Sequence, residues 1–82
     1  MLTIRQYLRT LPKDELFKIF MNSNLSEIEY KLMCFSFIDK YLRDKTCLKL
    51  HVQKTKYHSI LNSALIKVNF TIKKLEKVRI LQ

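Results

Sequence analysis

The chain contains no glycine in 82 residues and a single proline, Pro12. Glycine enters positive-φ backbone without a Cβ clash, and tight hairpins, bulges and phosphate-cradling loops rely on it. Its complete absence argues against a hairpin-rich sheet and excludes P-loop and GxGxxG phosphate sites. Leu, Ile, Val, Phe and Met are plentiful, so the chain can bury a modest core, and its length leaves room for only one. The expected fold is all-α: one domain, residues 1–82, forming a compact bundle of four to five helices with a long final helix.

Start and stop signals divide the chain. Residues 3–10 form a short amphipathic turn or two, with Ile4, Leu8 and Leu11 at helical spacing. Pro12 suits the first position of a new helix, and Asp14 and Glu15 then fall where carboxylates complement the macrodipole. Leu16, Phe17, Ile19 and Phe20 supply its apolar face, and Asn22-Ser23-Asn24 ends it. Ser26 and Glu29 form a capping box, with Leu25 placed to staple onto Tyr30. Ile28, Leu32, Phe35, Ile38 and Leu42 share one face of the helix that follows, which is expected to run to about Tyr41. A shorter helix over Leu42–Leu50 uses Leu42, Cys47, Leu48 and Leu50. His51-Val52 interrupts it, and a long amphipathic helix begins near Gln53 or Lys54. Tyr57, Ile60, Leu61, Ala64, Leu65, Val68, Ile72 and Leu75 keep one stripe along that helix.

Charge is segregated. Residues 1–39 hold five basic and five acidic groups, whereas residues 40–82 hold eleven basic groups against only Asp44 and Glu76. The whole formal charge of +9 thus belongs to the second half. A one-sided field of this kind attracts polyanions: DNA, RNA or an anionic membrane surface. A lysine-rich solvated surface has the same composition, so charge alone does not choose.

The stretch LSEIEYKLMCFSFIDKYLRDKTCLKLHVQKTKYHSILNSALIKV resembles sigma factor region 4, and most of all the sigma-like phage regulators of the ArpU/RinA type. Leu25-Ser26-Glu27 corresponds to the start of the leading helix, Leu42–Leu50 to the first helix of a helix-turn-helix, and His51-Val52 to its turn. Gln53–Val68, with Ala64-Leu65-Ile66-Lys67-Val68, corresponds to the recognition helix. The resemblance implies three parts: an N-terminal helical segment (1–24), a region-4-like unit (25–69) and a helical tail (70–82). It departs from the family at two places. His51 stands where glycine is usual, although histidine is enriched among non-glycine residues in that backbone region. Gln53, a weak cap, replaces Ser or Thr.

The resemblance implies sequence-specific binding of double-stranded DNA in transcriptional control, in a phage or mobile element. In a helix-turn-helix the second helix enters the major groove and its outward face meets base edges. Opposite the apolar stripe lie Thr55, Ser59, Asn62 and Ser63, flanked by Lys56 and His58. Asn pairs with adenine, and hydroxyls suit bases or phosphates. Lys40, Arg43, Lys45, Lys49, Lys54 and Lys67 are the candidate phosphate contacts. A second reading makes the chain a protein-binding module that docks on RNA polymerase or another transcription regulator, to which an outward Ile66 would contribute.

Leu61, Leu65, Ile66, Val68, Ile72 and Leu75 follow the three- and four-residue steps of a helix seam. That seam is expected either to pack back on the first helices or to pair with a second copy, with Phe70, Ile80 and Leu81 as spare apolar surface. Most of the aromatics fall on apolar stripes and are read as core. His51 and His58 lack partners at ligand spacing, so neither a metal nor a cofactor is expected. No catalytic constellation appears, and the chain is not read as an enzyme. Cys34 and Cys47 are read as reduced core thiols. LPKDELFKIF resembles the opening of an F-box, but the later part of that motif is missing and the segment is read as a structural helix. Neither a signal peptide nor a membrane span is expected, and the predicted setting is cytoplasmic, without a membrane partner.

Overall fold

In the computed structural model, two reciprocal capping boxes begin helices in the first half of the chain. The structure describes the backbone of residues 3–81 and the side chains of residues 3–75. The Thr3 hydroxyl accepts from the Gln6 N–H, and the Gln6 side chain accepts from the Thr3 N–H at 2.9 Å. This box starts α1 (Ile4–Arg9). Ser26 and Glu29 make the same exchange at the start of α3 (Glu27–Met33), as their spacing predicts. Between them, α2 (Lys13–Met21) has Asp14 and Glu15 in its first turn. Pro12 lies one position earlier than expected, as the extended residue before the helix, and its carbonyl accepts from the Leu16 N–H at 3.1 Å.

The helix begun at Glu27 does not run regularly to Tyr41. From Cys34 to Ile38 it widens into a π turn, with the Asp39 N–H reaching the Cys34 carbonyl at 3.0 Å. Lys40 then takes left-handed backbone, φ 58°, and the Tyr41 N–H closes onto the Phe35 carbonyl at 2.8 Å. A π turn slips the phase of a helix face. Phe37, four residues after the buried Met33, is buried against Phe20 in an edge-to-face contact, with ring centroids 6.5 Å apart. Phe35 turns partly outward and stacks on Tyr41. Leu42, expected on the core face, is 82% exposed and instead precedes α4 (Arg43–Leu50). Leu48 is exposed as well. The inward side of α4 is Thr46 and Cys47, with Leu50 half-buried.

A left-handed His51 (φ 57°, ψ 44°) ends α4. The Val52 N–H bonds to the Cys47 carbonyl at 3.1 Å and the His51 N–H to that of Leu48 at 3.4 Å. This is the Schellman arrangement, here made without glycine. α5 (Lys54–Leu81) follows, the Gln53 carbonyl accepting its first bond from the Tyr57 N–H at 2.9 Å. Its stripe of Tyr57, Ile60, Leu61, Ala64, Leu65, Val68 and Ile72 is buried against the other helices. Leu8, Leu16, Ile19, Phe20, Leu32 and Met33 meet it from α1, α2 and α3. The fold is an all-α bundle closed around its longest helix.

That closure settles how the seam is used. Leu61, Leu65, Val68 and Ile72 lie inside the monomer core, so they pack back on the bundle and are not free for a second copy. Ile66 and Leu75 remain exposed, as does Phe70. Ile80 and Leu81 belong to the stretch whose side chains lie outside the described residues. Among those residues, no helix is long and apolar enough to cross a membrane.

Candidate nucleic-acid interface

The N-terminal half of α5 carries the candidate base-reading residues, and their exposure follows from helix geometry. With Tyr57, Ile60, Leu61 and Ala64 turned into the core, a 100° step per residue places Thr55, Ser59 and Asn62 on the opposite side. Thr55, Lys56, His58, Ser59, Asn62 and Ser63 are all exposed. Thr55 to Ser63 spans about 12 Å of helix axis, close to the width of a major groove.

No acidic residue stands in the first turn of α5, whereas Lys54 and Lys56 do. Cations there oppose the helix dipole and weaken the helix. The same placement concentrates positive potential on the end of the helix where backbone N–H groups lack intrahelical partners. A shallow depression lined by His51, Val52, Gln53, Thr55, Lys56 and Ser59 lies at this end.

The candidate phosphate contacts divide into distinct groups. Lys40, Arg43, Lys45, Lys49 and Lys54 are exposed on or beside the turn-bearing half of the molecule. Asp44 is the carboxylate among them, with Lys54 Nζ at 3.6 Å and Arg43 Nε at 3.5 Å from its Oδ1. These are solvent-exposed contacts of small net worth, which a phosphate can displace. They tie the first turn of α4 to the first turn of α5. Lys45 Nζ sits 4.1 Å from the centre of the Tyr41 ring, which in turn stacks on Phe35. That cation is oriented by an aromatic face but stays open to solvent.

Lys67 belongs elsewhere. Its ammonium lies 2.7 Å from Glu29 Oε1, and Glu29 is a buried carboxylate. Burial by itself raises the pKa of Glu29. Lys67 and the Ser26 backbone N–H, both bonded to Oε1, overcome that effect and lower it to about 2. Lys67 is therefore engaged in the α3–α5 contact, apart from the exposed cations around the turn. Ser63 is exposed at the surface, and Glu29 Oε2 has no hydrogen-bond partner among the described residues. The engagement of Lys67 was not readable from spacing, because Glu29 and Lys67 are 38 residues apart. Cys34 and Cys47 are both free thiols, and burial pushes the Cys34 pKa upward, keeping it protonated.

No protein-family model, curated protein or solved structure matches this chain.

Proposed function

We propose that the chain is a sequence-specific duplex DNA-binding transcriptional regulator, of the kind its resemblance to phage and mobile-element regulators suggests. One observation carries the reading. The exposed face over Thr55–Ser63 is free of carboxylates, follows a tight left-handed turn, and has five exposed cations on and around the preceding helix. In this reading Asn62 offers a donor–acceptor pair to adenine, and Thr55, Ser59 and Ser63 offer hydroxyls. Lys40, Arg43, Lys45, Lys49 and Lys54 meet phosphates and fix register. Binding involves no cofactor and no reaction.

The test is selection from a random duplex library, followed by fluorescence anisotropy on the enriched site and a scrambled duplex at two salt concentrations. The reading requires one enriched motif, bound about a thousandfold more tightly than the scrambled duplex, with affinity that falls steeply as salt rises. Equal, salt-labile binding to both duplexes would sink it.

A further inference from the structure

A cleft runs between the turn Asn22–Asn24 and the C-terminal half of α5, on a part of the molecule that base reading does not use. Its walls carry exposed Ile66, Phe70 and Leu75, with exposed Lys73 and Lys74. The Thr71 hydroxyl, which bonds to the Lys67 carbonyl at 3.1 Å and lies 3.5 Å from the Asn22 carbonyl, fastens turn to helix beneath it. Ile66 is 72% and Phe70 61% exposed, a large apolar surface for a small chain to leave in water. Lys74 Nζ lies 4.5 Å from the centre of the Phe70 ring. None of the residues described as lining the cleft is acidic.

We infer that this cleft docks an acidic amphipathic helix of a partner protein. The apolar anchors are four residues apart on one helix, the spacing at which a second helix presents matching side chains. Lys73 and Lys74 supply the charge that selects an acidic flank, while Lys67 is held by Glu29. Symmetric pairing with the same cleft of a second copy fits poorly, because it would bring Lys73 and Lys74 against their own counterparts. Duplex DNA has no use for Ile66 and Phe70, which lie about 16 and 22 Å along the axis from Thr55, past the width of a groove. A flat lipid surface does not enter a recess between a turn and a helix.

The experiment is a phage-displayed library of randomised helical peptides, selected on the full-length protein. The winning peptide is then measured by fluorescence anisotropy against wild type, Phe70→Ser, the pair Lys73→Glu and Lys74→Glu, and the control Leu48→Ser. Each substituted side chain is exposed, so circular dichroism should stay native. Winners should carry apolar residues at three- and four-residue steps flanked by Asp or Glu. Their affinity should fall at least about tenfold with Phe70→Ser and with the double charge reversal, and hold with Leu48→Ser. Basic or uncharged winners, winners indifferent to Phe70→Ser, or no winner at all would overturn the inference. So would binding to phosphatidylglycerol vesicles, or self-association in sedimentation, that disappears with Phe70→Ser. Duplex affinity of Phe70→Ser is read separately and should be unchanged, so loss of the peptide site and loss of DNA binding remain distinguishable.

Discussion

Lys67 Nζ lies 2.7 Å from Glu29 Oε1, joining the middle of α5 to the first turn of α3. The same carboxylate oxygen accepts from the Ser26 N–H at 2.9 Å, so one atom caps a helix and ties two helices together. Glu29 is buried while Lys67 remains partly in water. The pair thus holds its negative charge inside and its positive end at the surface.

Acid should weaken the fold through this carboxylate. Its pKa is about 2 in the folded chain against 4.5 ordinarily, so the native state favours the ionised form. The stabilisation is fully present above about pH 4.5 and is lost as pH falls toward 2, amounting to about 3 kcal/mol. Urea unfolding at a series of pH values should show this loss, and Glu29→Gln should be less stable at neutral pH with a flatter acid limb. An unchanged acid limb in Glu29→Gln would contradict the assignment.

Lys67 and the surface cations should separate in a salt titration. Lys49→Ala should reduce the slope of log affinity against log salt by about 0.9, the value of one released counterion. Lys67→Met, measured where it remains folded, should leave that slope unaltered while costing about 1–3 kcal/mol of stability, because it leaves the buried Glu29 carboxylate without its cation. Equal slope changes in both variants would mean that Lys67 also meets phosphate.

Asn62→Ala should relax sequence preference more than it weakens generic binding. Loss of a bidentate contact to adenine costs about 1–3 kcal/mol of discrimination at one base pair. Repeating the duplex selection with this variant should blur a single position of the enriched motif. A motif left sharp at every position would remove Asn62 from base reading.

The left-handed positions should respond to glycine. Lys40 and His51 have φ of 58° and 57°, where a Cβ crowds the following carbonyl. Lys40→Gly and His51→Gly should each stabilise by about 1 kcal/mol, seen as a higher urea midpoint at constant slope. Asn24, at φ 53°, tolerates this region better and should gain less.

The π turn makes its own prediction. Phe37→Ala should cost about 3–5 kcal/mol in thermal unfolding, whereas Leu42→Ala, at an exposed position where neither side chain makes a cap, should stay within about 0.5 kcal/mol of wild type. A regular helix through Tyr41 would place Leu42 on the core face and make it the more costly of the two.

These contrasts mark how far local pattern reaches. Ser26 and Glu29 announced a helix start because a capping box is written three residues apart, and the stripe from Tyr57 to Ile72 announced α5 through its period. Thr3 and Gln6 carry the same capping signal at the same spacing. The left-handed break at Lys40 has no comparable spacing signature, and it takes Leu42 off the helix face on which it was expected. The exposed face from Thr55 to Ser63 was legible because it is the complement of a buried stripe. The engagement of Lys67 was not, since a contact between residues distant in sequence depends on how α3 packs on α5. The cleft at Phe70 depends on the same packing and on where the Asn22–Asn24 turn meets the helix.

α5 is one uninterrupted helix from Lys54 to Leu81. The proposed groove-facing end and the proposed docking end are therefore linked by a ruler with fixed length and fixed angular phase. One residue inserted between Ser63 and Ile66 would turn the distal half by about 100°, whereas seven would restore its direction to within about 20° and add about 10 Å. Cooperation between the groove-facing end and the cleft end would then follow the helical repeat of the insertion, recovering at whole turns and failing between them.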